Sequence, residues 1–378
     1  MKYRCYIFVF FEIFLIQIYM QIVIDKDIPF IKGVFEPFAE VVYEKGGDIN
    51  RKAVKNADAL IIRTRTKCNK ELLEGSRVKI IASATIGKDH VDTAYCDAKG
   101  ITFINAAGCN ANGVVQYVFT ALYAVAGKKR ISLPVSGKRK RVLGVIGVGN
   151  VGSRVALMGE YLGMEVLRND PLKEREQTLR FNAGYIPLTE FKNYYSLDYV
   201  LAHSDIITVH VYLDETTRNM VNSHFLEKVR KGAVFINSSR GEVVDEAALL
   251  RLKDKFSAII LDVWGHEPAI DRELLASVDI ATPHIAGYSY EGKINGTVMV
   301  VKGVAGFLGI EPLKYFTVPP DTPNPNHLEL KGMDQAETGR ILTDIFPVFE
   351  ESRGLKDNPG DFEKIRNNYK YRREFYVK

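Results

Sequence analysis

Arg240, Glu267 and His284 each stand just beyond a short apolar run. Ala233 to Asn237 leads into Ser238-Ser239-Arg240-Gly241, Ser257 to Asp262 into Val263-Trp264-Gly265-His266-Glu267-Pro268, and Ile280 to Thr282 into Pro283-His284-Ile285-Ala286-Gly287-Tyr288. Oxidising an alcohol needs a base for the hydroxyl proton, a cation for a carboxylate or developing carbonyl, and a group that tunes the base. A carboxylate beside an imidazole orients the ring and supports its protonated form. Upstream, Val142 to Ile146 reads as a strand, Gly147-Val148-Gly149-Asn150-Val151-Gly152 follows it, and Ser153 to Leu162 reads as a helix. In that setting Gly147 allows the tight turn, Gly149 lets backbone approach a pyrophosphate, Gly152 lets helix pack on strand, and the helix N-terminus faces the phosphates. Asp170 closes the next strand, Glu165 to Asp170, where a carboxylate bonds a ribose 2′-hydroxyl and repels a 2′-phosphate. That favours NAD, while the neighbouring Arg168 leaves NADP open.

The elements that must position these groups fall into two series. From Met20 to Leu122, the short apolar runs Ile22 to Ile24, Ala59 to Ile62, Val78 to Ala82 and Ile101 to Ile104 alternate with amphipathic stretches. A second series adds Ile206 to Val209 and runs to Pro283. Strands alternating with helical patterns predict βαβ units and parallel sheets, hence two doubly wound α/β domains. At 378 residues the chain exceeds a single core, which favours a cleft between domains. The basic stretch from Lys128 to Arg141, around Pro134 and Gly137, reads as a solvated linker, with nucleic-acid binding the lesser alternative because no aromatics are interleaved as stacking platforms. After Glu311 a Pro-rich connector leads to a charged, Tyr-rich tail. Arg63, Arg65 and Lys67 would form a basic row on one face if the strand at Ala59 to Ile62 continued, and with Lys88 could bind a phosphate; a solvated strand end is the plain alternative.

A composition of 46% hydrophobic and 26% charged residues excludes disordered and multi-span membrane classes, and a net charge of +5 decides nothing about partners. Cys5, Cys68, Cys96 and Cys109 show neither a disulfide framework nor a zinc spacing, so no metal is expected and a reducing cytoplasm is the simplest compartment. Residues 1–19 resemble the start of a secretory signal, but Glu12 and Gln17 interrupt the apolar run and no small-residue cleavage site follows. They read as an upstream extension, with the domain starting at Met20.

Gly-Val-Gly-Asn-Val-Gly, Asn-Ser-Ser-Arg-Gly-Glu-Val-Val-Asp, Leu-Asp-Val-Trp-Gly-His-Glu-Pro and Pro-His-Ile-Ala-Gly-Tyr together resemble the D-isomer-specific 2-hydroxyacid dehydrogenases. Three further segments narrow the likeness to a branch acting on a small phosphorylated hydroxy acid: Ala84 to Asp92, His284 to Lys293, and Arg366 to Phe375. The resemblance implies Arg240 as the substrate clamp, Glu267 as partner of the base and His284 as general acid/base. It implies NAD held by Gly147, Gly149, Asn150, Val151, Gly152, Asp170, Ser238, Ser239, Asp262 and Gly287, with Thr64, Thr85 and Tyr288 contacting substrate. It implies Rossmann-like domains: a substrate domain of residues 20–122 completed by 285–310, an NAD domain of 123–284, and a small α+β dimerisation domain of 311–378, giving a cytoplasmic homodimer without nucleic-acid or membrane partners. The chain departs from the family at Val211-Tyr212-Leu213, where a small residue and proline are usual, and in an apparent insertion from Arg180 to Tyr199. His90, His203, His210, His224, His266 and His327 receive no role. The rivals are another dehydrogenase of the family, such as a phosphoglycerate dehydrogenase or hydroxypyruvate reductase, and a non-catalytic NAD-sensing scaffold.

Overall fold

The computed structural model describes residues 20–133, 141–183, 185–319, 321–324 and 326–378. The expected upstream extension and most of the linker lie outside these residues. The chain divides into two compact units, the stretch ending at Asn110 with Glu291–Pro323, and Ala111–Tyr290 with Asn324–Lys378.

The first unit holds a five-stranded parallel sheet in the order β2-β1-β3-β4-β5. Its strands are β1 (Gln21–Asp25), β2 (Glu40–Glu44), β3 (Ala59–Ile62), β4 (Ile80–Ser83) and β5 (Thr102–Asn105). Both faces are covered, so the central strands read as continuous apolar runs. Ile22, Ile24, Ala59, Ile61, Ile80 and Ala82 pack on Val300, Val301 and Val304 of the helix Tyr290–Leu308, while Val23, Leu60, Ile62 and Ile81 pack with Leu72, Leu73 and Cys96 on the other side. The return of the chain after residue 290 therefore supplies one layer of this unit. Strand β2 has no counterpart in the sequence reading, because an edge strand bounded by Glu40 and Glu44 lacks a sustained apolar run.

The second unit holds a six-stranded parallel sheet in the order β11-β10-β9-β8-β6-β7. The strands are β6 (Val142–Ile146), β7 (Glu165–Asn169), β8 (Ile206–Val209), β9 (Val234–Asn237), β10 (Ala258–Leu261) and β11 (Ile280–Ala281). Successive residues alternate between its two cores: Leu143, Val145, Val234, Ile236 and Ile260 face the helices Ala111–Lys129 and Asn150–Tyr161, and Val142, Ile146, Phe235, Ile259 and Leu261 face the opposite layer. The chain crosses over between β7 and β8, leaving a topological switch point between β6 and β8, where ligands of such sheets bind. The Arg180 to Tyr199 stretch meets the outer edge of β7 through an isolated parallel bridge from Tyr194 to Arg168.

Two expectations change. Lys128 and Lys129 are not linker residues: they form the last turn of the helix Ala111–Lys129, where cations suit the carboxyl-end dipole, and Lys129 pairs with Asp279 at 2.7 Å. The same helix contains the boundary expected at 122/123, and the division between units falls at its start. The tail folds onto its own chain. Leu342, Phe346 and Val348 enter one core of the second unit and Leu355 and Phe362 the other, while β12 (His327–Leu328) pairs with β13 (Tyr376–Val377).

Among the described residues, no helix is long and apolar enough to cross a membrane.

Candidate active site

Within the second unit, the loops after β10 and β11 bring Glu267 and His284 together. His284 Nδ1 lies 2.9 Å from Glu267 Oε2, and Glu267 Oε1 accepts from the Trp264 N–H at 3.0 Å. Burial alone would raise the Glu267 carboxyl, but the charge and hydrogen bond of His284, Arg366 and the Trp264 N–H outweigh it and hold the pKa below the usual glutamate value. The His284 side chain is 27% exposed, so the ring is not sealed in the core. His284 adopts a φ of +58°, a conformation that few non-glycine residues accept without outside support.

That support comes from Asp262, which is fully buried. Its carboxylate accepts from the Thr282 hydroxyl at 2.6 Å and from the Ile285 and Ala286 N–H groups, each at 2.8 Å, while its own carbonyl takes the His284 N–H at 2.7 Å. Asp262, expected beside the cofactor, thus braces the loop that carries His284, Gly287 and Tyr288. Arg372, 7% exposed, holds the same loop from the tail, donating to the carbonyls of Ile285 at 3.0 Å, Tyr288 at 3.2 Å and Ala286.

Arg240 follows β9, where Asn237 organises the turn: its amide donates to the Arg240 carbonyl at 2.9 Å and its oxygen accepts from the Ser239 N–H and hydroxyl. Gly241 brings this turn hard against the backbone of Trp264 and Gly265, in the loop that bears Glu267.

The Gly147 to Gly152 turn fits a dinucleotide on independent grounds. Gly147 has a φ of +83°, a Cβ on Gly152 would stand 1.9 Å from the Gly147 carbonyl, and Gly149 has open space beside it. Gly149 also N-caps the helix Asn150–Tyr161 without a side-chain hydrogen bond, whereas the neighbouring helix Pro171–Asn182 is capped by the Asp170 carboxylate. The uncapped N–H groups, with Asn150 and Val151 in the first turn, suit a pyrophosphate. Asp170 also accepts from the Val148 N–H at 2.8 Å, tying the end of β7 to the glycine loop. The Ser238 hydroxyl is buried without a partner, a polar atom suited to a bound ligand. His210, at the end of β8, bonds Thr208 at 2.9 Å, and burial pushes its imidazole down to about 3.

In the first unit Thr64 and Thr85 follow the carboxyl ends of β3 and β4. Thr85 meets the Ser83 hydroxyl at 2.8 Å, and Ser83 meets His90 at 3.2 Å. The basic row does not form. Strand β3 stops at Ile62, the Thr66 N–H turns back to the Arg63 carbonyl, and the Thr66 hydroxyl caps Gly46, so Arg63, Arg65 and Lys67 do not alternate across a sheet.

Residues 120–286 match the model of the D-isomer specific 2-hydroxyacid dehydrogenase, NAD binding domain. An erythronate-4-phosphate dehydrogenase of Bacteroides fragilis is 42% identical over 94% of this chain and 97% of its own length. The chain belongs to the erythronate-4-phosphate dehydrogenase family. The Escherichia coli member of that family is 36% identical over 94% of this chain and 92% of its own. Among solved structures, D-lactate dehydrogenase from Aquifex aeolicus, complexed with NAD and lactic acid, is 28% identical and covers 80% of this chain and 100% of its own, with a TM-score of 0.62. The NAD+-bound 3-phosphoglycerate dehydrogenase of Entamoeba histolytica is 25% identical over 80% of this chain and 99% of its own, at the same TM-score of 0.62. In this member of the erythronate-4-phosphate dehydrogenase family, sequence reasoning missed Arg366, which contacts the Glu267 cluster, and the bracing role of Asp262. Arg366 opens the tail segment Arg366 to Phe375, but no local pattern reveals that a tail residue returns to a strand end.

Proposed function

We propose that the protein oxidises the C2 hydroxyl of 4-phospho-D-erythronate to (R)-3-hydroxy-2-oxo-4-phosphooxybutanoate with NAD, a step of pyridoxal 5′-phosphate biosynthesis. The observation that carries the reading is the 2.9 Å contact between His284 Nδ1 and Glu267 at the strand ends of an NAD-binding fold. Bound NAD would supply the acceptor for the C2 hydride. Gly147, Gly149, Asn150, Val151 and Gly152 would hold its pyrophosphate and Asp170 its ribose, and Ser238, Ser239, Asp262 and Gly287 would line it further. Because Nδ1 of His284 is engaged by Glu267, Nε2 takes the hydroxyl proton, and the adjacent carboxylate stabilises the imidazolium that forms. Arg240 holds the substrate carboxylate in a bidentate geometry that suits a guanidinium. Thr64, Thr85 and Tyr288 contact the remaining substrate oxygens. The proposal includes a homodimer joined through 311–378 and a cytoplasmic location, which buried cysteines outside any disulfide, Cys68 and Cys96 among them, suit.

The test is NADH absorbance with 4-phosphoerythronate, 3-phosphoglycerate and glycerate offered in parallel, with and without a 2-oxo acid acceptor. Preference for 4-phosphoerythronate that collapses in His284→Ala supports the reading. Preference for 3-phosphoglycerate transfers the chain to a sister activity, and silence with intact NAD binding marks a scaffold. Light scattering on the purified protein tests the dimer.

A further inference from the structure

The helix Phe362–Asn367 is anchored by Phe362, which is 1% exposed and lies in the same core as Phe235, Leu261 and Trp264. From this fixed support Arg366 reaches two groups at once. Its Nε donates to the Tyr288 hydroxyl at 3.0 Å, and its Nη1 lies 3.9 Å from Glu267 Oε2, the oxygen that meets His284. The Arg366 side chain is 23% exposed and that of Glu267 19%, so water screens the pair less than it would on an open surface. Tyr288 is further confined by edge-on contacts with Tyr369 and Tyr371, at 6.2 and 6.1 Å.

We propose that Arg366 is a positioning residue of the reaction, holding the Glu267 carboxylate and the Tyr288 hydroxyl in one fixed arrangement beside His284. The physical reason lies in what each group lacks alone. Glu267 Oε2 meets both the His284 imidazole and the Arg366 guanidinium, so the cation adds a second fixed partner to the oxygen that orients the ring and keeps the carboxylate ionised there. A hydroxyl that accepts a hydrogen bond from a guanidinium becomes a stronger donor of its own proton, which suits Tyr288 to an anionic substrate oxygen. The tail thereby completes the active site of the NAD-binding unit. This inference rests on the dehydrogenase reading for its reaction, not for its geometry.

The experiment uses the full chain with Arg366→Gln, Arg366→Lys, Tyr288→Phe and the double variant Arg366→Gln/Tyr288→Phe. In Arg366→Gln, kcat is expected to fall about tenfold or more with NADH affinity within about twofold, and Arg366→Lys to recover part of the loss. The double variant should lose little more than the worse single variant, because the two side chains act as one unit. Additive losses, a kcat within about twofold of wild type, or a parallel loss of kcat, NADH affinity and thermal stability in both Arg366 variants would overturn the proposal. If the wild-type protein oxidises a different 2-hydroxy acid, the substrate reading fails while the same cycle on that acid still tests Arg366. One readout needs no substrate: the Nδ1–H proton signal of His284 in histidine-labelled protein. Arg366→Gln should shift that signal, and an unchanged signal counts against the proposal.

Discussion

Replacing Gly241 by alanine should damage catalysis far more than cofactor binding. A methyl group there would stand 1.9 Å from the Trp264 carbonyl carbon, 2.0 Å from its oxygen and 2.3 Å from the Gly265 nitrogen. All of these are backbone atoms, so no side-chain rotation relieves the clash. Since carbon contacts are comfortable only from about 3.5 Å, the turn bearing Arg240 and the loop bearing Glu267 must separate by roughly 1.5 Å. Overpacking of this kind costs about 1–3 kcal/mol of stability, and a misplacement of about 1 Å at reacting groups can cost about a hundredfold in rate. The Gly147 to Gly152 turn follows a different strand and is not displaced, so NADH affinity should fall less than kcat, its loss coming through Ser238 and Ser239 of the moved turn. The assays are NADH absorbance, fluorescence titration with NADH and thermal melting. Gly354→Ala serves as the control: it sits in the helix Val348–Asp357 with no atom within 4 Å of the added carbon, and should stabilise by about 0.5–1 kcal/mol. A Gly241→Ala protein with near wild-type kcat and melting temperature would refute the coupling of the two loops through their backbones.

Gly152→Ala should weaken NADH binding by about tenfold or more in a calorimetric titration, because the added carbon would lie 1.9 Å from the Gly147 carbonyl that shapes the phosphate turn; unchanged affinity would show that the turn is not the phosphate site. Asp170→Ala removes the acceptor of the Val148 and Lys173 N–H groups, so it should cost about 1 kcal/mol as a lost helix cap and also erode the preference for NADH over NADPH. Cofactor preference unaltered by that change would exclude Asp170 from the ribose. Glu267 has a lowered pKa in the fold, so its ionised form contributes stability above the unfolded glutamate pKa of about 4.3, and that contribution disappears as pH falls through the lower folded value. Urea denaturation from pH 7 to pH 3 should therefore show the stability gap between wild type and Glu267→Gln closing on acidification below about pH 4. A gap that widens on acidification contradicts the assigned direction.

The apolar runs from Val142 to Ile146 and from Ile280 to Thr282 settle strand positions locally, because strands buried on both faces read as unbroken hydrophobic stretches. The Gly147 to Gly152 turn is legible for a similar reason: its chemistry depends on missing side chains at fixed spacing. Arg240, Glu267 and His284 could be named because each follows a strand, and strand ends are where such sheets bind ligands. Contacts set by residues distant in the chain were not legible. Asp262 was expected at the cofactor, and packing gives it a second task that no local pattern shows: it braces the His284 loop, accepting from Thr282, Ile285 and Ala286. The basic row at Arg63, Arg65 and Lys67 failed because Thr66 finds a buried acceptor in Gly46, a long-range bond that ends the strand. Lys129 read as linker until Asp279 supplied its partner. Arg366 and Arg372 lie in a tail segment that carries the family likeness, but nothing local names their partners; these come from the burial of Phe362, Phe346 and Phe375, which brings the tail back to the strand ends. Sequence determined the groups and their order along the chain, since spacing and periodicity are local properties. Tertiary structure decided which of them share a hydrogen bond, because that depends on burial summed over the whole core.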